Sequence, residues 1–469
     1  MSARRASRAT DSGASLQART PSFRRPRPRS RPRLLAQALA SLLVISGVAG
    51  TAGAEELAFP GALGWAAHTP GGRGGKLLRV TTLATSGEGS LADALAQSGP
   101  RIIVFEVGGV IDLGQQTLRI DEPFVSIAGQ TAPFPGITLI RGGLDVATHD
   151  VVIRHIRVRP GEAGAGKRSG MDFDAISTVG AHDVIVDHCS LTWATDENLS
   201  ASGPRFVEGG KTLEDFRKAT SQRITFSHNL IAEGLAHSTH GKGEHSKGSL
   251  IHDHVGEILI IGNLYAHNYE RSPMFKGDVR GHIVNNLIYN PGPRAVHYNL
   301  IPEEWVGHAY LPAEMTLVGN VMRSGPSTPD DVALLMIGGS ADLKLHANDN
   351  LAVDRLGRPL PAVGRYTTAA AQIVEMPAPT PAFGVRVLPS VQVQDWVIAN
   401  AGARPWDRDD VDRRIVADVI EGRGAIIDSE AEVGGYPVYA ETRQAFVEAD
   451  WDIATMEPKK ELPRRPPPK

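Results

Sequence analysis

A short pattern of apolar and polar residues recurs through the middle of the chain. In each copy, about four to five residues rich in β-branched side chains lead to a polar pair, and a further apolar step follows. The copies cover residues 184–191, 224–231, 258–265, 281–288 and 315–322, with an earlier, divergent copy at 151–158. The length and composition of each copy are those of a short β-strand, so the pattern predicts a chain built mainly of such strands.

One position of this repeat is occupied by Cys189, Asn229, Asn263, Asn286 and Asn320. The steps between these residues are 40, 34, 23 and 34. A short minimum step with variable longer ones predicts a coil of about three strands per turn, with the insertions confined to loops. Asparagine recurring at one bend predicts a ladder of stacked side-chain amides, each bonded to the next coil. An ordinary β-sandwich is the alternative, and the constant register of the repeat disfavours it.

The two ends of the predicted coil differ from its middle. Residues 87–96 predict a short capping helix, with Ser90 as N-cap and Asp93 three residues later. Residues 359–389 are rich in proline and indicate a boundary or an extended crossing segment. Residues 391–401 and 411–420 could be helical. We therefore predict a secretion signal at 1–54, a β-coil at 55–358, and a Pro-rich, partly helical extension at 359–469 that packs on the coil or follows it.

The beginning of the chain has the composition of an export signal. Residues 1–33 carry ten arginines and one acid, and the apolar run 34–50 leads to small residues that end at Ala54. An apolar run of this length is short for a membrane anchor, which is the alternative. We expect cleavage near Ala54 and a secreted or periplasmic protein with no membrane attachment afterwards.

Charge and cysteine content narrow the possible functions. The whole chain has a formal net charge of −3, and without the basic leader about −12 remains. Such an acidic body is not expected to bind nucleic acid, and binding a polyanion would need local cations or a bridging metal. Cys189 is the only cysteine, so no disulfide can form within the chain, and we expect this residue to be a small buried side chain.

Acidic candidates for chemistry are concentrated in two loops. Asp172 and Asp174 alternate and would face together on a strand, and Asp196 and Glu197 form a second pair. Hard oxygen ligands of this kind suit Ca²⁺. Solvated loop acids, or the acid and base of a glycosidase, are the alternatives.

Basic and histidine residues lie in the neighbouring loops. Lys247, Arg271 and Lys276 could form ordinary salt bridges or hold the carboxylates of an acidic sugar. A histidine-rich loop could bind a transition metal or could supply polar loop groups. Its members are His237, His240, His245, His252 and His254.

Several stretches together resemble the pectate lyase family, over about residues 60–350. Asp174-Ala-Ile and the later Val184-Ile-Val-Asp-His188 resemble the family's D-A-I…W-I-D-H signature, with Ile185 where tryptophan is usual. Residues 58–64, 71–75, 89–91 and 128–133 resemble its opening, and Arg271-Ser-Pro273 resembles its R-x-P motif. The resemblance implies a right-handed parallel β-helix that cleaves polygalacturonate by Ca²⁺-dependent β-elimination, acting as a monomer.

The resemblance also implies roles for individual positions. Asp172, Asp174 and Asp196 fall where the family has Ca²⁺ ligands, and Arg271 falls on the catalytic base. Lys247 falls on the substrate-binding lysine, and Lys276 replaces a second arginine, which keeps the charge but loses the bidentate fork. Ser200 stands where another acid is common, so Glu197 would have to compensate as a ligand.

Three other functions stay open at this point. One is a hydrolase on the same coil, with paired acids such as Asp172 and Asp196. Another is a non-catalytic polysaccharide-binding protein, which would not need acids and cations on neighbouring loops. The third is a lyase for another uronate or for methylated pectin, although neutral esters would not need Ca²⁺. Because arginine is normally protonated, an arginine base predicts an alkaline pH optimum.

Overall fold

The computed structural model describes residues 56–379 and 384–462, which form short strands connected by turns and loops. The first sixteen strands in chain order are β1 (Lys76–Val80), β2 (Arg101–Phe105), β3 (Val107–Asp112), β4 (Leu118–Ile120), β5 (Val125–Ala128), β6 (Ile137–Ile140), β7 (Leu144–Val146), β8 (His149–Arg154), β9 (Ile156–Arg159), β10 (Ile176–Val179), β11 (His182–Asp187), β12 (Ser190–Thr192), β13 (Leu199–Ser202), β14 (Gln222–Ser227), β15 (Leu230–Ala232) and β16 (Leu250–Ile251).

The remaining strands lie towards the C-terminus of the chain. They are β17 (Gly256–Ile261), β18 (Leu264–Ala266), β19 (Met274–Lys276), β20 (Arg280–Val284), β21 (Leu287–Tyr289), β22 (Val296–Asn299), β23 (Ala313–Val318), β24 (Val321–Arg323), β25 (Leu335–Ile337), β26 (Leu343–Asn348), β27 (Leu351–Val353), β28 (Val363–Arg365), β29 (Ile373–Glu375), β30 (Thr442–Arg443), β31 (Trp451–Asp452) and β32 (Glu457–Pro458). These strands continue the coil as far as β29, after which β30 pairs with β3 and β31 pairs with β32, both antiparallel. The helices are α1 (Leu91–Ala96), α2 (Leu213–Ala219), α3 (Ser390–Asn400) and α4 (Asp410–Glu421).

Strands three apart in chain order pair side by side and build three long sheets. Sheet 1 has the order β1-β2-β5-β8-β11-β14-β17-β20-β23-β26-β29. Sheet 2 has the order β30-β3-β6-β9-β12-β15-β18-β21-β24-β27, and sheet 3 the order β4-β7-β10-β13-β16-β19-β22-β25-β28. The pairings are parallel, except that β30 joins β3 antiparallel. This is a parallel β-helix, and the prediction of a coil with three strands per turn is confirmed.

The amide ladder lies at the bend between sheet 1 and sheet 2. The backbone N–H of Cys189 donates to Asn229 Oδ1 at 2.8 Å, and that of Asn229 donates to Asn263 Oδ1 at 2.9 Å. The same contact continues through Asn286 and Asn320, so the predicted ladder is confirmed. It ends on a further residue, Asn350, whose Oδ1 accepts from the backbone N–H of Asn320 at 2.9 Å. Each rung satisfies backbone groups that the bend would otherwise leave unpaired.

The residue before each rung has a left-handed backbone conformation. Gly262 has φ 69° and Gly319 has φ 67°, and the equivalent His188, His228 and Asn285 have φ between 48° and 53°. Glycine adopts this region without a steric penalty, and asparagine and histidine adopt it more readily than most residues. This requirement explains why Gly-Asn recurs in the repeat.

Apolar side chains from all three sheets fill the interior of the coil. Alternate strand residues point inwards, and the continuous core they form runs from Val80 to Ala371. Cys189 belongs to this core and is fully buried, which confirms its expected role, and burial raises the pKa of its thiol to about 12.

Helices α1, α3 and α4 lie where the sequence predicts them, whereas α2 was not predicted. Ser90 caps α1, and its Oγ accepts from the backbone N–H of Asp93 at 3.1 Å. Helices α3 and α4 cover the outer face of sheet 2, where Val393, Val397 and Ile415 pack against Leu230 and its neighbours. Asp409 caps α4.

A buried ion network ties α4 to the coil. Arg159 on β9 contacts Asp409 Oδ2 and Asp412 Oδ1, each at 2.8 Å, and all three side chains have 0% exposure. Arg157 lies 3.3 Å from Asp412 Oδ2. Charges buried this deeply persist only when they are paired, so the network holds the extension to a fixed place on the coil.

The sheets continue beyond the expected boundary at residue 358. Strand β28 adds to sheet 3 and β29 adds to sheet 1, so the last coil ends at Glu375 rather than at 358. The described residues from Glu56 onwards belong to one compact unit. The predicted secretion signal at 1–54 lies outside the described residues. No helix within the described ranges is long and apolar enough to cross a membrane.

Candidate functional site

The candidate residues lie immediately before four neighbouring strands of sheet 3. Asp174 precedes β10, Glu197 precedes β13, Lys247 precedes β16 and Arg271 precedes β19. These strands are adjacent and parallel, and Glu197 and Lys247 themselves form a single parallel bridge. Their side chains therefore form one column along the edge of sheet 3. The sequence predicted the members of this column, and the register of the sheet brings them together.

The outer face of sheet 3 continues from this column. Alternate residues of the paired strands point outwards in one row. The row consists of Asp145, Ser177, Ser200, Leu250, Met274, His297 and Met336. This row lies beside the acids and cations, and four of its members are buried, namely Ser177, Ser200, Met274 and His297.

Three carboxylates of the site lie close together. Asp174, Asp196 and Glu197 each offer an oxygen within 4.8 Å of the others. The backbone N–H of Glu197 donates to Asp174 Oδ1 at 2.8 Å, and Ser200 Oγ donates to Asp174 Oδ2. Burial and the two neighbouring carboxylates raise the pKa of Asp174 well above its usual range. A bound cation would remove this penalty.

The oxygen atoms of this group have the chemistry that a hard cation requires. Asp196 Oδ1 is buried, and within the described part of the chain it accepts no aligned hydrogen bond. Carboxylate oxygens suit Ca²⁺, which takes six to eight oxygen ligands at about 2.3–2.6 Å. Asp174, Asp196 and Glu197 therefore fit a calcium ion.

Asp172 lies apart from these three carboxylates. Its side chain is 57% exposed, and His240 Nε2 lies 3.8 Å from Asp172 Oδ2. Residues 171–174 have no regular secondary structure, so the expectation that Asp172 and Asp174 share one face of a strand is wrong.

Two of the five loop histidines border the carboxylate group. His240 and His245 stack with ring centroids 4.0 Å apart, and His245 Nε2 lies 2.9 Å from Asp196 Oδ1. Burial lowers the pKa of His245 to about 3, and the positive charge of Arg271 is the second cause of this shift. The ring is therefore neutral. His240 Nδ1 accepts from the backbone N–H of Lys242 at 3.1 Å.

The other three histidines lie elsewhere. His237 contacts Asp428 at 3.0 Å, His252 contacts Asp253 at 3.1 Å, and His254 contacts Asp278 at 2.8 Å. Of the five histidines, His240 and His245 therefore form a group with Asp196 that could hold a metal ion, and the other three lie outside it.

Each predicted cation is paired with a glutamate of the chain itself. Arg271 Nη1 contacts Glu197 Oε1. Lys247 Nζ contacts Glu244 Oε1, and Lys276 Nζ lies 2.8 Å and 2.6 Å from the two oxygens of Glu304.

Lys247 is the most deeply buried of these cations. Its side chain is 3% exposed, and Nζ lies 4.5 Å from the centre of the Tyr269 ring and 3.9 Å from Glu270 Oε2. Burial lowers the pKa of Lys247 to about 8, although Glu244 opposes the shift. Glu270 also contacts Arg294, so the lysine belongs to an extended network of charges.

Sequence reasoning missed the glutamates and two arginines of the site. Glu244, Glu270 and Glu304 hold the cations, and Arg205 and Arg294 share those glutamates. Glu244 stands three residues before Lys247 and could have been noticed from spacing alone. Glu304 lies 28 residues after Lys276, on a separate loop, and nothing in the sequence connects the two.

A parallel β-helix that carries carboxylates and cations side by side on one sheet defines the class of protein as a polysaccharide-active β-helix enzyme. The chain is 33% identical over 391 residues to the probable pectate lyase C of Aspergillus terreus, with 81% of each chain covered. It is 32% identical over 394 residues to that of Emericella nidulans, covering 81% of this chain and 80% of the relative. The chain therefore belongs to the pectate lyase family, and it is a polysaccharide lyase.

Solved structures are also similar to this chain. The cedar pollen allergen jun a 1 aligns with a TM-score of 0.47 and 15% identity, covering 73% of this chain and 92% of that one. A pectate lyase bound to a hexasaccharide aligns with the same TM-score and identity, covering 97% of its own length. No family model matches the chain.

Proposed function

We propose that this protein is exported, binds polygalacturonate as its substrate and cleaves it by Ca²⁺-assisted β-elimination, with Arg271 as the proton acceptor. The position of Arg271 supports this assignment most directly. It stands in one column with Asp174 and Glu197, next to the outer face of sheet 3. The site thus offers a basic group and a cation-binding group to the same stretch of polymer.

The cation would be held by Asp174, Asp196 and Glu197, with Asp172 at the edge of the group. When bound, it would neutralise the charge that develops on the uronate carboxylate as the neighbouring proton is lost. Ser200 donates to Asp174 and so orients that carboxylate instead of serving as an acidic ligand. We expect a lower Ca²⁺ affinity than a fourth acid at this position would give.

The residues of the chain supply the remaining chemistry. Arg271 would take the C5 proton of a galacturonate, the C5 electron pair would form the 4,5 double bond, and the C4–oxygen bond would break. The leaving oxygen would then gain a proton from water. Lys247 and Lys276 would hold carboxylates of the polymer. Because arginine is normally protonated and Arg271 is paired with Glu197, the reaction requires this contact to open, and an alkaline optimum follows.

The deciding experiment follows absorbance on polygalacturonate. Elimination creates an unsaturated uronate, which should absorb near about 232–235 nm, and a metal-assisted reaction should stop when the metal is chelated. We expect the absorbance to rise with Ca²⁺ at about pH 9 and to stop with a chelator. New reducing ends without absorbance would instead indicate a hydrolase. Binding without either signal would indicate a non-catalytic polysaccharide-binding protein.

Export and assembly complete the proposal. A basic leader followed by an apolar run supports a secreted or periplasmic location. The acidic body supports a polymer substrate held through local cations and metal and gives no basis for nucleic-acid binding. We expect a monomer, which size-exclusion chromatography with light scattering would test.

A further inference from the structure

The carboxylate of Glu304 lies between two cations on the outer side of the coil. Lys276 Nζ approaches its two oxygens at 2.6 Å and 2.8 Å. Arg205 Nη2 lies 2.7 Å from Glu304 Oε2. One carboxylate thus forms ion pairs with both Lys276, at the end of β19, and Arg205, three residues after β13.

The two cations are held in place by contacts that do not involve Glu304. Arg205 Nε lies 2.9 Å from Asp253 Oδ2, and Asp253 is fully buried. The other oxygen of Asp253 accepts from Trp305 Nε1 at 2.7 Å. The backbone of Lys276 is fixed by its place in sheet 3, where it pairs with Asn299, and its ammonium group contacts Glu304. Without Glu304, the guanidinium of Arg205 would still be held by Asp253, and Lys276 would start from the same place in the sheet.

The glutamate is the most accessible member of the three. Its side chain is 31% exposed, compared with 12% for Lys276 and 19% for Arg205. It lies in the short turn Pro302–Glu304, whose next residue, Trp305, is buried and anchors the loop. The carboxylate of Glu304 can therefore turn into solvent without unpacking the loop.

We propose that Arg205 and Lys276 form a binding site for one uronate carboxylate of the substrate, and that Glu304 occupies this site in the free enzyme and competes with the polymer. This rests on the proposed function, which takes Lys276 as a substrate-binding residue, and it adds Arg205 as a second one. A uronate carboxylate has the same charge and geometry as that of Glu304, and an arginine Nη2 group beside a lysine ammonium group suits such an anion.

Charge balance makes the exchange selective. Asp253 neutralises Arg205, and Glu304 neutralises Lys276. A uronate that replaces Glu304 preserves this balance, whereas a uronate added beside Glu304 would bring two like charges together. A methyl ester carries no charge, so it could not form the same ion pairs with Arg205 and Lys276 that Glu304 forms. Glu304 therefore sets how strongly the enzyme distinguishes acidic from esterified sugars at this position.

The test compares Glu304→Gln with the wild type in steady-state kinetics on polygalacturonate and on highly methyl-esterified pectin. Removing the competing charge should lower KM on polygalacturonate by about two- to fivefold with kcat nearly unchanged, a size typical of a partly exposed ion pair. The KM on esterified pectin should change less. Glu303→Gln is the matched control, because Glu303 is its exposed neighbour and forms no ion pair among the described residues. Thermal unfolding of each variant verifies that the fold is intact.

Arg205 is tested in the same assay. Arg205→Lys keeps the charge beside Asp253 and should raise KM on polygalacturonate several-fold more than it raises KM on esterified pectin. If the Arg205→Lys variant has the wild-type KM on both substrates, Arg205 does not bind the substrate, and its assignment to the site is wrong. A KM for Glu304→Gln equal to that of Glu303→Gln, or higher than the wild type, would overturn the competition.

A third variant separates this inference from the proposed function. If Lys276→Gln raises KM while Glu304→Gln does not lower it, Lys276 binds substrate and the inference alone fails. If Lys276→Gln leaves KM unchanged in an active enzyme, the substrate-binding role of Lys276 fails, and the inference fails with it.

Discussion

The guanidinium of Arg271 and the carboxylate of Glu197 form an ion pair, with Arg271 Nη1 in contact with Glu197 Oε1. Glu197 also offers an oxygen to the group formed with Asp174 and Asp196. The proposed proton acceptor and one proposed metal ligand therefore share a single carboxylate. A metal ion that binds Glu197 would weaken the ion pair between Glu197 and Arg271. Metal binding and proton transfer are therefore linked through this one side chain.

The first prediction concerns this shared carboxylate. Glu197→Gln removes one negative ligand and should weaken Ca²⁺ binding by about tenfold or more. Isothermal titration calorimetry with Ca²⁺ and no substrate measures the affinity directly. Glu303→Gln, which changes an exposed acid outside the group, should bind Ca²⁺ as the wild type does. Equal affinities for both variants would remove Glu197 from the ligand set.

The second prediction concerns the base. Arg271→Ala should reduce kcat by at least about a hundredfold, the usual size of a general-base contribution. Arg271→Lys should recover part of the loss, because it restores a nitrogen base near the same place. Arg358→Lys is the control, since the side chain of Arg358 is 73% exposed and, among the described residues, forms its ion pair with Asp354. Initial rates at saturating polygalacturonate measure the effect, and an active Arg271→Ala enzyme would contradict the assignment.

The third prediction concerns the amide ladder. Asn263 is fully buried; its Oδ1 accepts from the backbone of Asn229, and its Nδ2 donates to Phe226 O at 2.9 Å. Asn263→Ala should lower the free energy of unfolding by about 2–4 kcal/mol, because it leaves buried backbone groups unpaired. Asn350→Ala, at the partly exposed last rung, should cost clearly less, since water can replace its contacts. Urea unfolding of both variants compares the two rungs, and equal losses would contradict a cost set by burial.

The fourth prediction concerns pH and the network beneath α4. Burial alone would raise the pKa of Asp409, but Arg157 and Arg159 outweigh it and hold that pKa well below its ordinary value. A depressed pKa contributes stability that is complete above the unfolded value of about 3.9 and is lost as the pH falls further. The melting temperature should therefore fall steeply below about pH 4.

Asp409→Asn isolates this contribution. At pH 7 it should cost about 3–5 kcal/mol, because two buried arginines lose a charged partner. The difference in melting temperature from the wild type should shrink as the pH falls below about 4, because the unfolded wild-type chain gains a proton on Asp409 there while the folded chain keeps the carboxylate ionised. Melting curves between about pH 2 and pH 7 measure it. A difference that stays constant over this range would show that Asp409 does not titrate with unfolding.

The sequence alone determined the coil and most of its local features. The recurring position from Cys189 to Asn320 predicted the ladder because each rung repeats the same local requirements, namely a left-handed residue, an amide and an apolar step. Ser90 followed from its capping position, which acts within a few residues, and the two stretches expected to be helical, 391–401 and 411–420, correspond to α3 and α4. The last rung, Asn350, was missed because its strand is polar and half exposed, so the apolar signal fades there.

Only the tertiary structure decided which side chains meet at the site. The column of Asp174, Glu197, Lys247 and Arg271 depends on strand register, and the steps between these positions vary with the insertions in each coil. The separation of Asp172 from Asp174, and the pairing of Lys276 with Glu304 and Arg205, depend on loop paths. A repeating coil is fixed by local patterns of short period, whereas contacts between loops of neighbouring coils join residues far apart in sequence. No pattern along the chain specifies such contacts, because they arise only when the folded sheet sets the distances.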